Sequence, residues 1–227
     1  MVIHKDYPCH VDNYQRGRAQ PVSFLVFHYV GATGGAEANA RYYGRTPGIG
    51  ASAHYFVGHA SEGAAIWQSV AESNTAWHCG RTDGRYQHPT CRNSNSIGIE
   101  MCCHQDTAGN WYIDEATYAA AAELGRDIMA RYGIPMENVL RHYDVTGKLC
   151  PRPLIDEGKW AAFKARLEDD MVSYKTIEDV PASYRPSVQK LLDKGVLKGY
   201  ENGAIYVSED LCRTITILDR LGLLEGR

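Results

Sequence analysis

RHYDVTGKLCPRP, residues 141–153, is the stretch on which the reading of this chain turns: it sets His142 and Cys150 eight residues apart, with Lys148 and two prolines beside them. An imidazole nitrogen and a thiolate are both good zinc ligands, and Gly147 between them lets the chain loop back so that both can point at one ion. Two ligands do not complete a site, because a catalytic zinc takes three protein ligands and leaves a position open. His28 is the candidate third: it lies near the end of an apolar run, residues 23–30 (SFLVFHYV), that reads as a buried strand delivering its last side chains to a site edge. Residues 93–102 (NSNSIGIEMC) read as another short apolar strand, with one acid, Glu100, where alternation sets an inward side chain. A carboxylate there is costly unless it is paired, hydrogen-bonded or used. Each piece also has an ordinary reading: a buried thiol, a core histidine, a solvated loop lysine. Their joint occurrence is what points to a site.

The segments FHYV at 27–30, SAHYFVG at 52–58, NSIGIEMC at 95–102 and RHYDVTGKLCPRP at 141–153 stand in the order and spacing of a known family. Over roughly residues 20–167 the chain resembles the zinc-dependent N-acetylmuramoyl-L-alanine amidases, which share a fold with peptidoglycan recognition proteins and amidase-type phage lysozymes. Carried over residue by residue, the resemblance implies His28, His142 and Cys150 as ligands of one zinc ion. It implies Glu100 as the catalytic acid/base and Lys148 as the electrophilic helper. The implied reaction cleaves the amide between N-acetylmuramic acid and the L-alanine of the stem peptide in bacterial peptidoglycan. One position departs: where many relatives carry a tyrosine just before the residue matching His54, this chain has Ala53. Relatives with the alanine usually carry the glutamate instead, and Glu100 is present. Tyr55 is one residue out of register and is expected on the opposite face from His54, in the core. Some intracellular relatives have aspartate in place of Cys150; cysteine keeps a zinc site but leaves it open to oxidation.

The chemistry of that residue set is coherent in its own right. Amide hydrolysis needs a nucleophile at neutral pH, a place for charge on the former carbonyl oxygen, and a proton for the leaving amine. Zinc meets the first need, a carboxylate the proton transfers, and a lysine the oxyanion. Iron or cobalt fits the ligands nearly as well. His54 and His78 are read as substrate-binding residues, with a structural hydrogen bond the competing reading for His78. Residues 77–80 (WHCG) resemble a family stretch bordering the substrate groove. His104 lies near the same segments, and Asp144 is a candidate for orienting a ligand histidine. Arg81, Asp83 and Arg85 form a mixed-charge loop with no role assigned.

At 227 residues, 44% hydrophobic and a formal net charge of −3, the chain can build one full domain and a small second one. It is not basic enough for a nucleic-acid binder, nor polar enough to be disordered. No run approaches the roughly 18 apolar residues of a membrane span. The first residues, MVIHKDYPCHVDNYQ, hold no apolar signal core, and seven cysteines, two of them adjacent, do not resemble a secreted disulfide framework. The expectation is a protein made in the bacterial cytoplasm without a signal peptide and acting on the wall after release, as a phage or prophage endolysin does. A bacterial autolysin or a cytosolic recycling amidase is the competing origin. Two other classes stand beside these: a non-catalytic peptidoglycan-binding module, and a different zinc hydrolase, against which the absence of HExxH and of the deaminase motif argues.

Strands are expected at 23–30, 53–58, 64–68, 95–101 and 138–142, and helices near 35–44, 114–132 and 157–168, the second with Asp114 as N-cap and Gly133 beyond its end. Such alternation predicts an α/β fold, a mixed central sheet flanked by helices. The expected domains are a catalytic unit at 1–167, a linker at 168–173 (EDDMVS) and a small, mainly helical unit at 174–227. That last unit is expected to hold helices from about 182 to 194 and 208 to 221, with Ser208 as N-cap. Leu191, Leu192, Val196 and Leu197 would pack on Leu211, Ile215, Ile217 and Leu218. It resembles a single S-layer-homology-like repeat, which implies binding to a secondary cell-wall polymer. At about 55 residues it is marginal alone, which suggests homo-oligomerisation or docking. An internal start at Met171 would yield a C-terminal fragment able to associate with full-length chains.

Overall fold

Five of the six side chains along residues 24–29 are buried, which both faces of a covered sheet require. The computed structural model describes residues 1–80, 83–168, 173–174, 176–199, 205 and 207–224. Residues 169–172 of the expected linker, Met171 among them, lie outside the described residues, as do Arg81 and residues 200–203. The chain divides into two compact units, Met1–Leu167 and Glu168–Arg227.

In the first unit, β1 (Ile3–His4), β2 (Phe24–Tyr29), β3 (Tyr55–Val57), β4 (Ile66–Gln68), β5 (Ser96–Met101) and β6 (Val139–Arg141) form one sheet in the spatial order β1-β4-β3-β5-β2-β6. Every neighbouring pair is parallel except β3 with β4. The fold is thus the mixed α/β sheet flanked by helices that the alternation predicts. The observed strands are shorter than expected at 53–58 and 64–68. The edge strand β1 was not expected, since two residues carry no periodicity. His142, expected to end a strand, instead opens a helix.

Alternation divides the central strands between two environments. Leu25, Phe27, Ile97, Ile99 and Met101 enter the main core, which α2 (Glu115–Tyr132) and α4 (Glu157–Glu168) cover with Leu124, Ile128, Phe163 and Leu167. The rings of Phe27 and Phe163 meet edge-on at 4.8 Å, a favourable arrangement for aromatic pairs. Tyr55 sits in this core as expected, its hydroxyl donating to Glu72 at 2.7 Å. The opposite face carries Phe24, Val26 and His28 from β2 and Ser96, Gly98 and Glu100 from β5. It is covered at one flank by Ala36 and Ala40 of α1 (Ala36–Arg45) packed with Phe56 and Trp67.

Helix α2 follows the expected local chemistry at one end and departs from it at the other. Gly133 closes α2 in the left-handed conformation, φ 64°, as expected. Asp114 stands at the N-cap but makes no side-chain cap bond. Its carboxylate instead accepts from Ala60 N at 2.8 Å and pairs with His104 Nε2 at 2.9 Å.

In the second unit, β7 (Ser173–Tyr174) pairs antiparallel with β8 (Val207–Ser208). Two helices follow the sequence expectation, α5 (Arg185–Asp193) and α6 (Glu209–Arg220). Ser208 caps α6, its hydroxyl accepting from Leu211 N at 3.1 Å. The core holds Val180, Val188, Ile205, Val207, Cys212 and Ile215, with Leu191, Leu192 and Leu197 packed against it. Val196, Leu211 and Ile217, expected inside, are exposed. The inward stripe of α6 runs Cys212, Ile215, Thr216 and Asp219, and that phase turns residues 211 and 217 outward. Asp219 joins the helices by accepting from Ser187 and Lys190 of α5.

Candidate active site

Parallel register does most of the assembly. His28 of β2 stands opposite Glu100 of β5, so their side chains share the face left free by the main core. Arg141, the last residue of β6, pairs with Phe27, which brings the next residue, His142, beside His28. Their rings lie 4.9 Å apart, centre to centre. Helix α3 (His142–Thr146) then ends on Gly147 at φ 78°, a conformation that glycine adopts without strain. The chain reverses there. Tyr143 N donates to Cys150 O at 2.8 Å, and Cys150 is returned to the start of the helix it has just left.

The result is a buried group of three donors, His28, His142 and Cys150, whose ligand atoms all lie within 4.8 Å of one another. His28 Nδ1 is 3.6 Å from Cys150 Sγ and 3.9 Å from Glu100 Oε1. Burial, then the neighbouring His142 and His78, hold the His28 imidazole well below its ordinary pKa, so it is neutral and able to ligate. Burial pushes the Cys150 thiol up. Glu100 is pushed up to about 8 by burial, which Lys148 opposes only in part. Its Oε2 is buried with no hydrogen-bond partner. Two further groups, His59 with Glu62 and Cys102, and His59 with His104 and Asp114, also bring ligand-type atoms together. In each the carboxylate already accepts backbone N–H groups.

The three-donor group opens on a cleft of about 410 Å³ lined by His142, Lys148, Trp77, His78, Tyr86 and Asn93 among others. Lys148 is exposed at its rim. A separate, shallower depression lined by Arg18, Glu72, Arg131 and Tyr132 shares none of these residues. Its carboxylate is taken by Tyr55, Arg131 and Tyr132.

Of the residues singled out in the sequence, the structure brings His28, His142, Cys150, Glu100, Lys148 and His78 together. It does not bring His54 to the cleft surface. That ring is fully buried, its Nδ1 accepting from Gly98 N at 3.0 Å and its Nε2 facing Asn74 O and Arg18. His54 thus ties β3 to β5. Asp144 accepts from Arg141, through its backbone N–H at 2.7 Å and its guanidinium. Sequence reasoning missed Ser96 and Gly98, which face the same side of β5 as Glu100. The signal was present in the alternation of SIGIE, where a serine and a glycine interrupt an otherwise apolar run.

A family profile described as N-acetylmuramoyl-L-alanine amidase matches residues 18–153. A probable N-acetylmuramoyl-L-alanine amidase of Bacillus licheniformis is 32% identical, over 76% of this chain and 49% of that protein. The N-acetylmuramoyl-L-alanine amidase XlyA of Bacillus subtilis (strain 168) is 32% identical, over 68% of this chain and 47% of its own length. The chain spans about half the length of the curated relatives it matches. Among solved structures, the catalytic domain of XlyA superposes with a TM-score of 0.58 at 28% identity, covering 74% of this chain and 99% of that one. PlyL does so with a TM-score of 0.59 at 24% identity, covering 74% and 97%, which bears on the fold alone.

Proposed function

Because the chain belongs to the N-acetylmuramoyl-L-alanine amidase family, we propose that it hydrolyses the amide between N-acetylmuramic acid and L-alanine in bacterial peptidoglycan. The observation that carries this reading is the cross-strand juxtaposition of His28 and Glu100 beside His142 and Cys150, with His142 and Lys148 lining the adjoining cleft.

Two imidazoles and a thiol, buried and converging, are a donor set suited to zinc. Metal fits the electrostatics as well: a nearby cation favours both the buried thiolate and the unsolvated carboxylate of Glu100, which burial otherwise holds protonated. Zinc held there would supply Lewis acidity, polarising the scissile carbonyl and making water acidic enough to attack at neutral pH. The remaining work falls to the chain's own groups. Glu100 takes the proton of the attacking water at its carboxylate and returns it to the departing nitrogen, since an amine leaves only once protonated. Lys148, at the rim, places its ammonium against the oxygen that gains negative charge. Trp77 and Tyr86 give the cleft apolar walls on which a sugar ring or stem peptide can rest.

The second unit we assign to wall attachment or to self-association, on the strength of its S-layer-homology-like pattern. The protein would act on the wall after release from the cytoplasm, as an endolysin; a bacterial autolysin of the same activity is the alternative. No helix among the described residues is long and apolar enough to cross a membrane.

Mass spectrometry of purified peptidoglycan digested with wild-type, chelator-treated and Glu100→Ala protein tests the assignment. The expected products are free stem peptides beginning with L-alanine and glycans with intact lactyl groups, absent from both controls. Disaccharides or cross-bridge fragments would refute the bond assignment. No release from walls that nevertheless pull the protein down would put the binding-module reading in its place.

A further inference from the structure

We propose that His78 is a positioning residue: it accepts the Nε2 proton of His28 and passes the orientation on through Ser96 to the carbonyl of Arg92, fixing the tautomer and plane of His28. The inference rests on the metal-site reading of His28.

The distances determine a direction. His28 Nδ1 faces Cys150 and Glu100, and its Nε2 lies 3.0 Å from His78 Nδ1. If Nδ1 offers its lone pair to a metal, the His28 proton must reside on Nε2, and His78 Nδ1 must accept it. The proton of a neutral His78 then sits on Nε2, 3.0 Å from Ser96 Oγ, which accepts. The Ser96 hydroxyl in turn donates to Arg92 O at 2.6 Å. A backbone carbonyl can only accept, so the chain is anchored at one end by that oxygen and at the other by the ligating lone pair. Along this path His78 and Ser96 each accept from one neighbour and donate to the next. Reversal would need a donor where Arg92 supplies an acceptor.

Two independent features hold His78 in this pose. Asn93 Oδ1 accepts from His78 N at 3.1 Å and from Cys79 N at 2.8 Å, clamping the backbone on both sides of the side chain. Gly98 leaves the room that the ring occupies: a Cβ there would lie 2.5 Å from His78 Cγ and 2.6 Å from Nδ1. The backbone at Gly98 does not require glycine, since its φ is not in the left-handed region. The glycine is there for space. His78 borders the cleft but is 7% exposed with both nitrogens engaged by protein, which leaves it no nitrogen for substrate.

Partners of this kind typically set metal affinity by about 10–100-fold. The test is zinc affinity by chelator competition, with the cobalt absorption spectrum as a second readout, on wild type, His78→Ala, His78→Asn and Ser96→Ala. Asparagine can present Oδ1 where Nδ1 stood, so it keeps an acceptor for His28. The expected result is an affinity loss of about 10–100-fold in His78→Ala with an altered cobalt band, most of it recovered in His78→Asn, and a smaller loss in Ser96→Ala. If His78→Ala binds both metals as wild type does and only KM rises, His78 is a substrate contact and the inference is overturned. If His78→Ala does not fold, unchanged affinity in Ser96→Ala overturns it. Wild-type protein that binds no metal would bring down the metal-site reading itself, a different failure from metal binding that ignores His78.

Discussion

Among the described residues, Glu100 is the carboxylate that burial pushes up, to about 8. It is hemmed by His28 and Cys150, and one oxygen lacks a hydrogen-bond partner. Glu100→Gln should keep the metal, since its ligands are untouched, while kcat on peptidoglycan falls about a hundred- to ten-thousand-fold. Metal content and kcat measured on the same preparation check this, and loss of both together would make Glu100 a ligand instead. The metal-free protein gives a second check. Burial raises the Glu100 pKa to about 8, above its unfolded value, so the folded form holds the proton more tightly. Its contribution is complete below the ordinary carboxylate range and lost as pH rises through about 8. In chelator, the melting temperature of wild type should fall between pH 5 and 8.5 by more than that of Glu100→Gln; parallel slopes would contradict the burial. At this scale the proposed ligands and Glu100 stand out in the sequence because each is a chemically costly residue in an apolar setting. His54 is buried and bonded to backbone, and in sequence such a histidine looks like one facing a ligand.

Strand β5 is where packing and site meet. Its even and odd positions do separate work: Ile97, Ile99 and Met101 fill the main core, while Ser96, Gly98 and Glu100 serve the other face. Gly98→Ala adds one methyl group against the His78 ring. Displacing that ring should cost about 1–3 kcal/mol of stability and lower metal affinity in the direction of His78→Ala. Denaturant unfolding and chelator competition read the two effects; a variant of wild-type affinity would mean that the ring can yield without moving His28. The inward side of β5 was evident from alternation. That Ser96 and His78 meet was not, because residues 78 and 96 belong to different segments whose approach is set by the loop between them. Likewise α3 went unforeseen, as five residues are too few to show a helical period, although Gly147 already marked the reversal.

For the whole molecule, the two units keep separate cores, one around the sheet and one around α5 and α6. A polypeptide of residues 1–167 should therefore fold, bind metal as the full chain does and cleave a soluble muropeptide, while losing retention on intact walls. Circular dichroism, metal titration and wall co-sedimentation distinguish this from a first unit that depends on the second. The sequence by itself determined the α/β class and marked the division near residue 167, the three residues proposed as a metal trio and the proposed acid, because hydrophobic period and costly polar residues are local properties. Only the tertiary structure decided which side chains touch: that Asp114 ties a loop instead of capping its helix, that His54 is sealed beneath β5, that Leu211 and Ile217 face outward, and that His78 reaches His28. Those outcomes depend on strand register, helix phase and loop path, each a matter of an ångström or a residue, which no single segment carries on its own.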